Sequence, residues 1–161
     1  MKRVYAKEEV CAGCGLCEVH CIVAHSKYWD NPIKAYKKQV PRPVARVFLE
    51  EMRPVSLAVQ CRHCDDPRCV KACITGAMQK DPDTGLVLCD SNRCVGCWTC
   101  VVACYHGAVR RDEEGGKVAA KCDMCAELGE ELPRCVANCP NEALVFEEEE
   151  EYLSKRDSVS S

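Results

Sequence analysis

The stretch Cys94-Val-Gly-Cys97-Trp-Thr-Cys100-Val-Val-Ala-Cys104 decides how this chain is organised. Three cysteines separated by two residues each are followed by a fourth after three more. The pattern recurs upstream as Cys11-x2-Cys14-x2-Cys17-x3-Cys21. Two stretched versions are Cys61-x2-Cys64-x4-Cys69-x3-Cys73 and Cys122-x2-Cys125-x9-Cys135-x3-Cys139. Every group opens with Cys-x2-Cys and closes with Cys-x3-Cys. Of the 17 cysteines only Cys89 stands outside these groups.

The spacing has a chemical reason. A cubane of four irons presents four corners, and each takes one thiolate. A tight loop of Cys-x2-Cys-x2-Cys wraps three corners, and the fourth cysteine, on the turn that follows, points away. In two-cluster ferredoxins that fourth cysteine ligates the partner cluster. Gly13 and Gly96 stand just before the second cysteine of their loops, where the backbone must come close to the metal centre. Zinc needs only two Cys-x2-Cys pairs per tetrahedral site, so a third and fourth cysteine at these spacings are surplus. Covalent haem needs Cys-x-x-Cys-His, which is absent from the sequence. A second repeat follows the last cysteine of three groups: Ile-Thr-Gly-Ala77-Met, Tyr-His-Gly-Ala108-Val and Pro-Asn-Glu-Ala143-Leu. Each reads as a turn ending in a small residue, then a strand start; one small unit is used several times.

Composition supports a metal-held chain. The 161 residues include two Trp, five Tyr and two Phe, and the 47% hydrophobic fraction counts the cysteines. The ordinary apolar core is therefore thin, and inorganic centres are expected to hold the fold. The formal net charge of −3 speaks against a nucleic-acid partner. Four oxidised cubanes with their thiolates would take it to about −11. Met1–Val10 carries Lys2-Arg3 but no apolar run, and no stretch reaches membrane-span length. The expectation is a cytoplasmic chain with no direct membrane span, where thiols stay reduced and disulfides lose ground to metal.

Along the chain, residues 1–10 read as a short strand. His25–Pro32 reads as a loop. Val44–Glu50 and Val55–Gln60 alternate and, joined by Glu51–Pro54, read as a β-hairpin. Asp81–Gly85 and Arg110–Gly116 read as turns, followed by strands at Leu86–Cys89 and Lys117–Ala120. Residues 126–133 are a short insertion, Leu144–Phe146 a final strand, Glu147–Glu151 an acidic run, and 154–161 a disordered end.

Four cysteine groups, one of them widely stretched, resemble the four-cluster iron–sulfur subunits of the dimethyl-sulfoxide-reductase type, over roughly residues 3–148. Cys17–Ser26, Gln60-Cys-Arg-His-Cys64 and Arg93–Cys100 look most like the small electron-transfer proteins of anaerobes, and closest to the carbon monoxide dehydrogenase electron-transfer protein. The resemblance implies an α+β fold: two pseudo-symmetric dicluster bacterial-ferredoxin-like modules with short helices, small antiparallel sheets and an inserted β-hairpin. The outer module would span 1–54 with 113–153 and the inner module 55–112. It implies four [4Fe–4S] clusters with exchanged ligands. Cys11, Cys14 and Cys17 would share a cluster with Cys139; Cys122, Cys125 and Cys135 with Cys21. Cys61, Cys64 and Cys69 would take Cys104; Cys94, Cys97 and Cys100 would take Cys73. Only Cys139 is followed by proline, Pro140, a departure from plain two-cluster ferredoxins.

The function so implied is outer-sphere electron transfer by a non-catalytic subunit, and the sequence offers no acid–base constellation. The partners would be a catalytic oxidoreductase subunit and an acceptor such as a flavoprotein or ferredoxin. Carbon monoxide dehydrogenase is the favoured catalytic partner, with aldehyde or formate oxidoreductases and hydrogenases as alternatives. A cluster-based sensor would need an effector domain; a zinc adaptor would have no redox role. Cys89 reads as a small strand-filling residue. His20, His25, His63 and His106 lie near the cysteine groups, and for His63 and His106 a hydrogen bond to backbone or cluster sulfur is expected. Trp98 can shield its neighbours from water or simply pack. Lys34, Lys37, Lys38, Arg42, Arg46 and Arg53 make the hairpin region basic, either as a solvated face or to steer an acidic partner.

Overall fold

A computed structural model describes the chain over residues 1–159. Its element order is β1 (Arg3–Ala6), α1 (Leu16–Ala24), α2 (Pro32–Lys38), β2 (Val47–Met52), β3 (Val55–Gln60), α3 (Arg68–Lys71), β4 (Met78–Lys80), β5 (Val87–Cys89), α4 (Thr99–Ala103), β6 (Arg110–Asp112), β7 (Val118–Ala120), α5 (Arg134–Ala137), β8 (Leu144–Glu147) and α6 (Glu149–Val159). Single 3-10 turns cover Glu8–Val10 and Ala126–Leu128. Among the described residues the strands form four separate antiparallel pairs: β1–β8, β2–β3, β4–β5 and β6–β7. The fold is α+β with short helices and small antiparallel sheets, as the sequence implies. Pairing of the first strand with the last, Val4 opposite Phe146 and Ala6 opposite Leu144, closes the chain on itself.

The core is sulfur-rich because large apolar side chains are few. Val4, Val47, Ala58 and Leu144 pack with Cys17, Cys21 and Cys135. Met78, Val87, Val109 and Ala119 pack with Cys69 and Cys100. Cys61, Ala108 and Cys122 form a third cluster, with Cys104 and Met124 against it. The module boundaries expected at 54/55 and 112/113 fall at the turns of two hairpins. Accordingly Ala58 of β3 joins the Val4 core, and Gln60 Nε2 donates to the Val4 carbonyl at 2.8 Å. Ala119 of β7 joins the Met78 core.

Three segments depart from the sequence reading. Asn31 caps a helix: its side chain accepts the Lys34 N–H at 3.0 Å, and Pro32 takes the first helical position. Arg110–Asp112 is the strand partner of Val118–Ala120 rather than part of the turn. Its charged sequence hides a strand because Arg110 and Arg111 stay exposed and only Asp112 is half-buried. Residues 154–159 continue α6 where a disordered end is expected; positions 160–161 lie outside the described residues. The helix is tied down by Tyr152, whose ring stacks on Tyr5 at 4.3 Å and whose hydroxyl donates to the Ala6 carbonyl at 3.0 Å. Lys155 bridges Glu147 and Glu151. Such long-range anchors leave no periodic mark in the sequence.

Candidate metal centres

The cysteine loops begin with one backbone feature. The residue before the second cysteine has positive φ in all four: Gly13 (66°), His63 (46°), Gly96 (68°) and Met124 (59°). That left-handed step turns the loop back toward its first sulfur. The His63 N–H donates to Cys61 Sγ and the Met124 N–H to Cys122 Sγ, both at 3.4 Å. Glycine takes the conformation freely, and at Gly96 a Cβ would also run into the Lys117 carbonyl oxygen. His63 and Met124 adopt it at a cost of about 1–2 kcal/mol. Glycine alone marks this step in a sequence, so these two positions escape a sequence reading.

The final cysteines receive backbone N–H groups as well. Met78 donates to Cys73 Sγ at 3.4 Å, Ala108 to Cys104 Sγ at 3.4 Å and Ala143 to Cys139 Sγ at 3.2 Å. The second sequence repeat thus has a physical purpose. The buried Ala77, Ala108 and Ala143 let the chain fold tightly over the sulfur. Cys21 has no such turn, because α1 runs on past it to Ala24. The Arg46 N–H, brought in by the long insertion, donates to Cys21 Sγ at 3.1 Å instead.

These loops gather the thiols into four sets. Cys11, Cys14, Cys17 and Cys139 line one cavity, walled by Leu49, Ala58 and Leu144. Cys61, Cys64, Cys69 and Cys104 line a second, beside Val87 and Val109. Cys73, Cys94, Cys97 and Cys100 line a third, where Met78 and the half-buried Trp98 complete the wall. Cys21, Cys122 and Cys125 neighbour Cys135, whose thiol burial raises well above its ordinary value; these three sulfurs, and to a smaller degree Cys17 of the first cage, push the same way. In the first and third cages one thiol is exposed, Cys14 and Cys97; the fourth holds the most enclosed sulfurs, Cys122 and Cys135.

The donor chemistry fits iron–sulfur clusters. Burial pushes Cys17, Cys100 and Cys125 up to about 11, and neighbouring sulfurs add to it in each case. Thiols packed this closely become thiolates together only around concentrated positive charge. The N–H groups aimed at their sulfurs suit the anionic form. Each set supplies the four sulfurs that one [4Fe–4S] cluster takes.

Charged side chains crowd the fourth set. His25 lies with Nδ1 2.7 Å from the Cys21 carbonyl oxygen and 3.7 Å from Cys21 Sγ. Its Nε2 is 3.0 Å from Asp123 Oδ1, and the Arg46 guanidinium pairs with the same carboxylate. The ring beside a cysteine sulfur is therefore that of His25. His63 is fully buried, and its Nδ1 accepts the Val87 N–H at 2.9 Å. His106 is exposed and borders the second cage; His20 is half-buried on α1. Of the basic residues around the hairpin, Arg42 lies over the Tyr36 ring at 4.9 Å, whereas Lys34, Lys37, Lys38 and Arg53 are exposed. Cys89 ends β5 and borders the third cage as a fifth sulfur.

Comparison with known proteins points the same way. Residues 53–149 match the family described as the 4Fe–4S dicluster domain. A component of the sulfite dehydrogenase of Allochromatium vinosum is 34% identical over 155 residues, covering 85% of this chain and 64% of that protein. Hydrogenase-2 operon protein HybA of Escherichia coli O157:H7 is 40% identical over 103 residues, 60% of this chain and 31% of that one. The chain thus spans less than two thirds of either. The electron transport protein HydN of Escherichia coli K12 is 35% identical over 156 residues, covering 88% of this chain and 85% of its own. Among the described residues no helix is long and apolar enough to cross a membrane.

Proposed function

The chain belongs to the 4Fe–4S dicluster domain family, and from that premise we propose that it is a four-cluster wire between a catalytic oxidoreductase subunit and an electron acceptor. It is an iron–sulfur electron-transfer protein; when bound, [4Fe–4S] clusters supply reversible one-electron transfer with no substrate bond made or broken. The ligand sets are Cys11, Cys14, Cys17 with Cys139; Cys122, Cys125, Cys135 with Cys21; Cys61, Cys64, Cys69 with Cys104; and Cys94, Cys97, Cys100 with Cys73. The observation that carries this reading is the grouping of sulfurs in three cavities, each of which joins a cysteine of one sequence group to three of another.

The protein's own part is to hold the sulfurs and set the order of the cages. Helix α1 carries Cys17 and Cys21, and the α5 turn carries Cys135 and leads to Cys139, so the first and fourth cages share two elements. Cys122 and Cys61 pack in one cluster around Ala108, joining the fourth cage to the second. α3 with its C-terminal turn, and α4 with Cys104 at its end, join the second to the third. The order is first, fourth, second, third, with an exposed thiol at each end, Cys14 and Cys97. We read residues 1–54 with 113–153 as the outer module and 55–112 as the inner one, exchanging strands at the two hairpins.

For the catalytic partner, the resemblance favours carbon monoxide dehydrogenase, with aldehyde or formate oxidoreductases and hydrogenases as alternatives; the relatives' names support a hydrogenase and add sulfite dehydrogenase. A cytoplasmic compartment, which keeps thiols reduced, suits a protein with this many of them. The test is anaerobic purification followed by iron and sulfide analysis and reductive titration. Four dithionite-bleachable clusters per chain support the wire. A colourless chain with stoichiometric zinc overturns it. Mixing with each purified catalytic subunit and its substrate then identifies the donor as the one that reduces the chain within catalytic turnover.

A further inference from the structure

The third cage holds one sulfur more than a cluster takes. Cys73, Cys94, Cys97 and Cys100 line its cavity, and so does Cys89. The position of Cys89 follows from the backbone. It ends β5 directly opposite Met78, the residue whose N–H reaches Cys73 Sγ. The next residue, Asp90, bonds back to the Ala77 carbonyl at 2.8 Å. The chain then turns on Asp90, whose carbonyl accepts the N–H groups of Arg93 at 3.2 Å and Cys94 at 3.1 Å. That single turn returns Cys94 to the side of Cys89, and both pack against the Met78–Val87 core. Cys89 also borders the large open cavity of about 590 Å³, so it lines both that cavity and the cage.

We propose that Cys89 is a reserve ligand of the third cluster, taking the place of Cys94 on iron when Cys94 is lost or chemically blocked. This rests on the assignment of Cys73, Cys94, Cys97 and Cys100 to one cluster. With Cys94 absent or blocked, the iron corner it leaves would take the Cys89 sulfur; the Cys89 thiol would give its proton to solvent on binding, so one thiolate replaces another and no oxidant or reductant is needed. No large backbone movement is required, because the two residues already flank one turn against one cavity.

The test uses the full chain, purified anaerobically with its clusters, as wild type, Cys89→Ala, Cys94→Ala and the double variant. The readouts are iron and sulfide per chain and the spectrum of the reduced protein. Cys89→Ala and Cys94→Ala are each expected to keep the wild-type iron, and the double variant to lose about a quarter of it. If Cys94→Ala alone loses as much as the double variant, the reserve role is overturned. Should Cys94→Ala fail to accumulate, Cys94→Ser serves: an all-thiolate spectrum supports Cys89 as ligand, and an oxygen-ligated spectrum refutes it. A wild-type chain already short of about a quarter of the expected iron would instead overturn the cluster assignment itself.

Discussion

The loops at Gly13 and Gly96 and those at His63 and Met124 adopt the same left-handed step by different means. The glycine loops hold the two exposed thiols, Cys14 and Cys97, at the ends of the row of cages. The loops with side chains open at the buried Cys61 and Cys122, in the middle of the molecule. At the ends nothing needs filling, and a residue without a Cβ satisfies the backbone. In the interior an empty corner would leave a cavity, so a large residue is held in a costly conformation and its packing offsets the strain. Met124 packs against both the Val4 core and the Cys61 cluster, while His63 fills space and accepts the Val87 N–H.

The contrast between ends and middle can be broken most forcefully at the ligands. Cys122→Ser is expected to abolish folding of the loaded protein, because it removes a sulfur from the cage that joins both halves. Cys14→Ser should leave a folded chain that loses at most its own cluster, about a quarter of the iron. Anaerobic expression with iron analysis and circular dichroism distinguishes the two; equal damage from both would remove the distinction.

Smaller effects sharpen it. Gly96→Ala should destabilise by about 3 kcal/mol, combining left-handed strain with a clash against the Lys117 carbonyl. Denaturant melts of the reconstituted protein measure this. His63→Gly relieves strain yet removes a buried ring and strands the Val87 N–H, for a net loss of about 2 kcal/mol in the same melts. A gain in stability would mean that packing does not offset the backbone cost. Gly15→Ala sets the baseline. That residue has φ of 71° with no neighbour within 4 Å of a built Cβ, so only about 1 kcal/mol of conformational strain is expected.

The Cys21 end of α1 offers a second comparison. Cys73, Cys104 and Cys139 take their N–H from the turn that follows, whereas Cys21 takes one from Arg46 across 25 residues. Arg46→Pro would remove that donor together with the guanidinium paired with Asp123, and both losses lower the reduction potential of the fourth cluster; Arg46→Ala, which keeps the N–H, isolates the part due to the hydrogen bond. Redox titration followed by electron paramagnetic resonance would detect the shift, and equal potentials in the two variants would show that the bond is without electronic effect.

Much of this was legible in the residues themselves. Cysteine spacing is dictated by how a short loop wraps a cubane, so the four groups and their repeat could be read from local sequence, and the α+β class followed from the family resemblance that those groups carry. The strands at Val55–Gln60 and Leu144–Phe146 announced themselves by apolar pattern and flanking turns. What local sequence could not carry is anything defined by two distant segments meeting. The cap at Asn31 and the strand at Arg110–Asp112 have partners close by in the chain, but the anchoring of α6 by Tyr152 on Tyr5 depends on one that the chain brings up only on folding. So do the Arg46 N–H on Cys21 and the seat of Cys89 beside the third cage. The number of thiols and their local geometry belong to the sequence because they follow from covalent spacing. Which sulfurs share a cavity, which are shielded and which face solvent was decided by the tertiary structure, because burial and long-range hydrogen bonds exist only once the chain has closed.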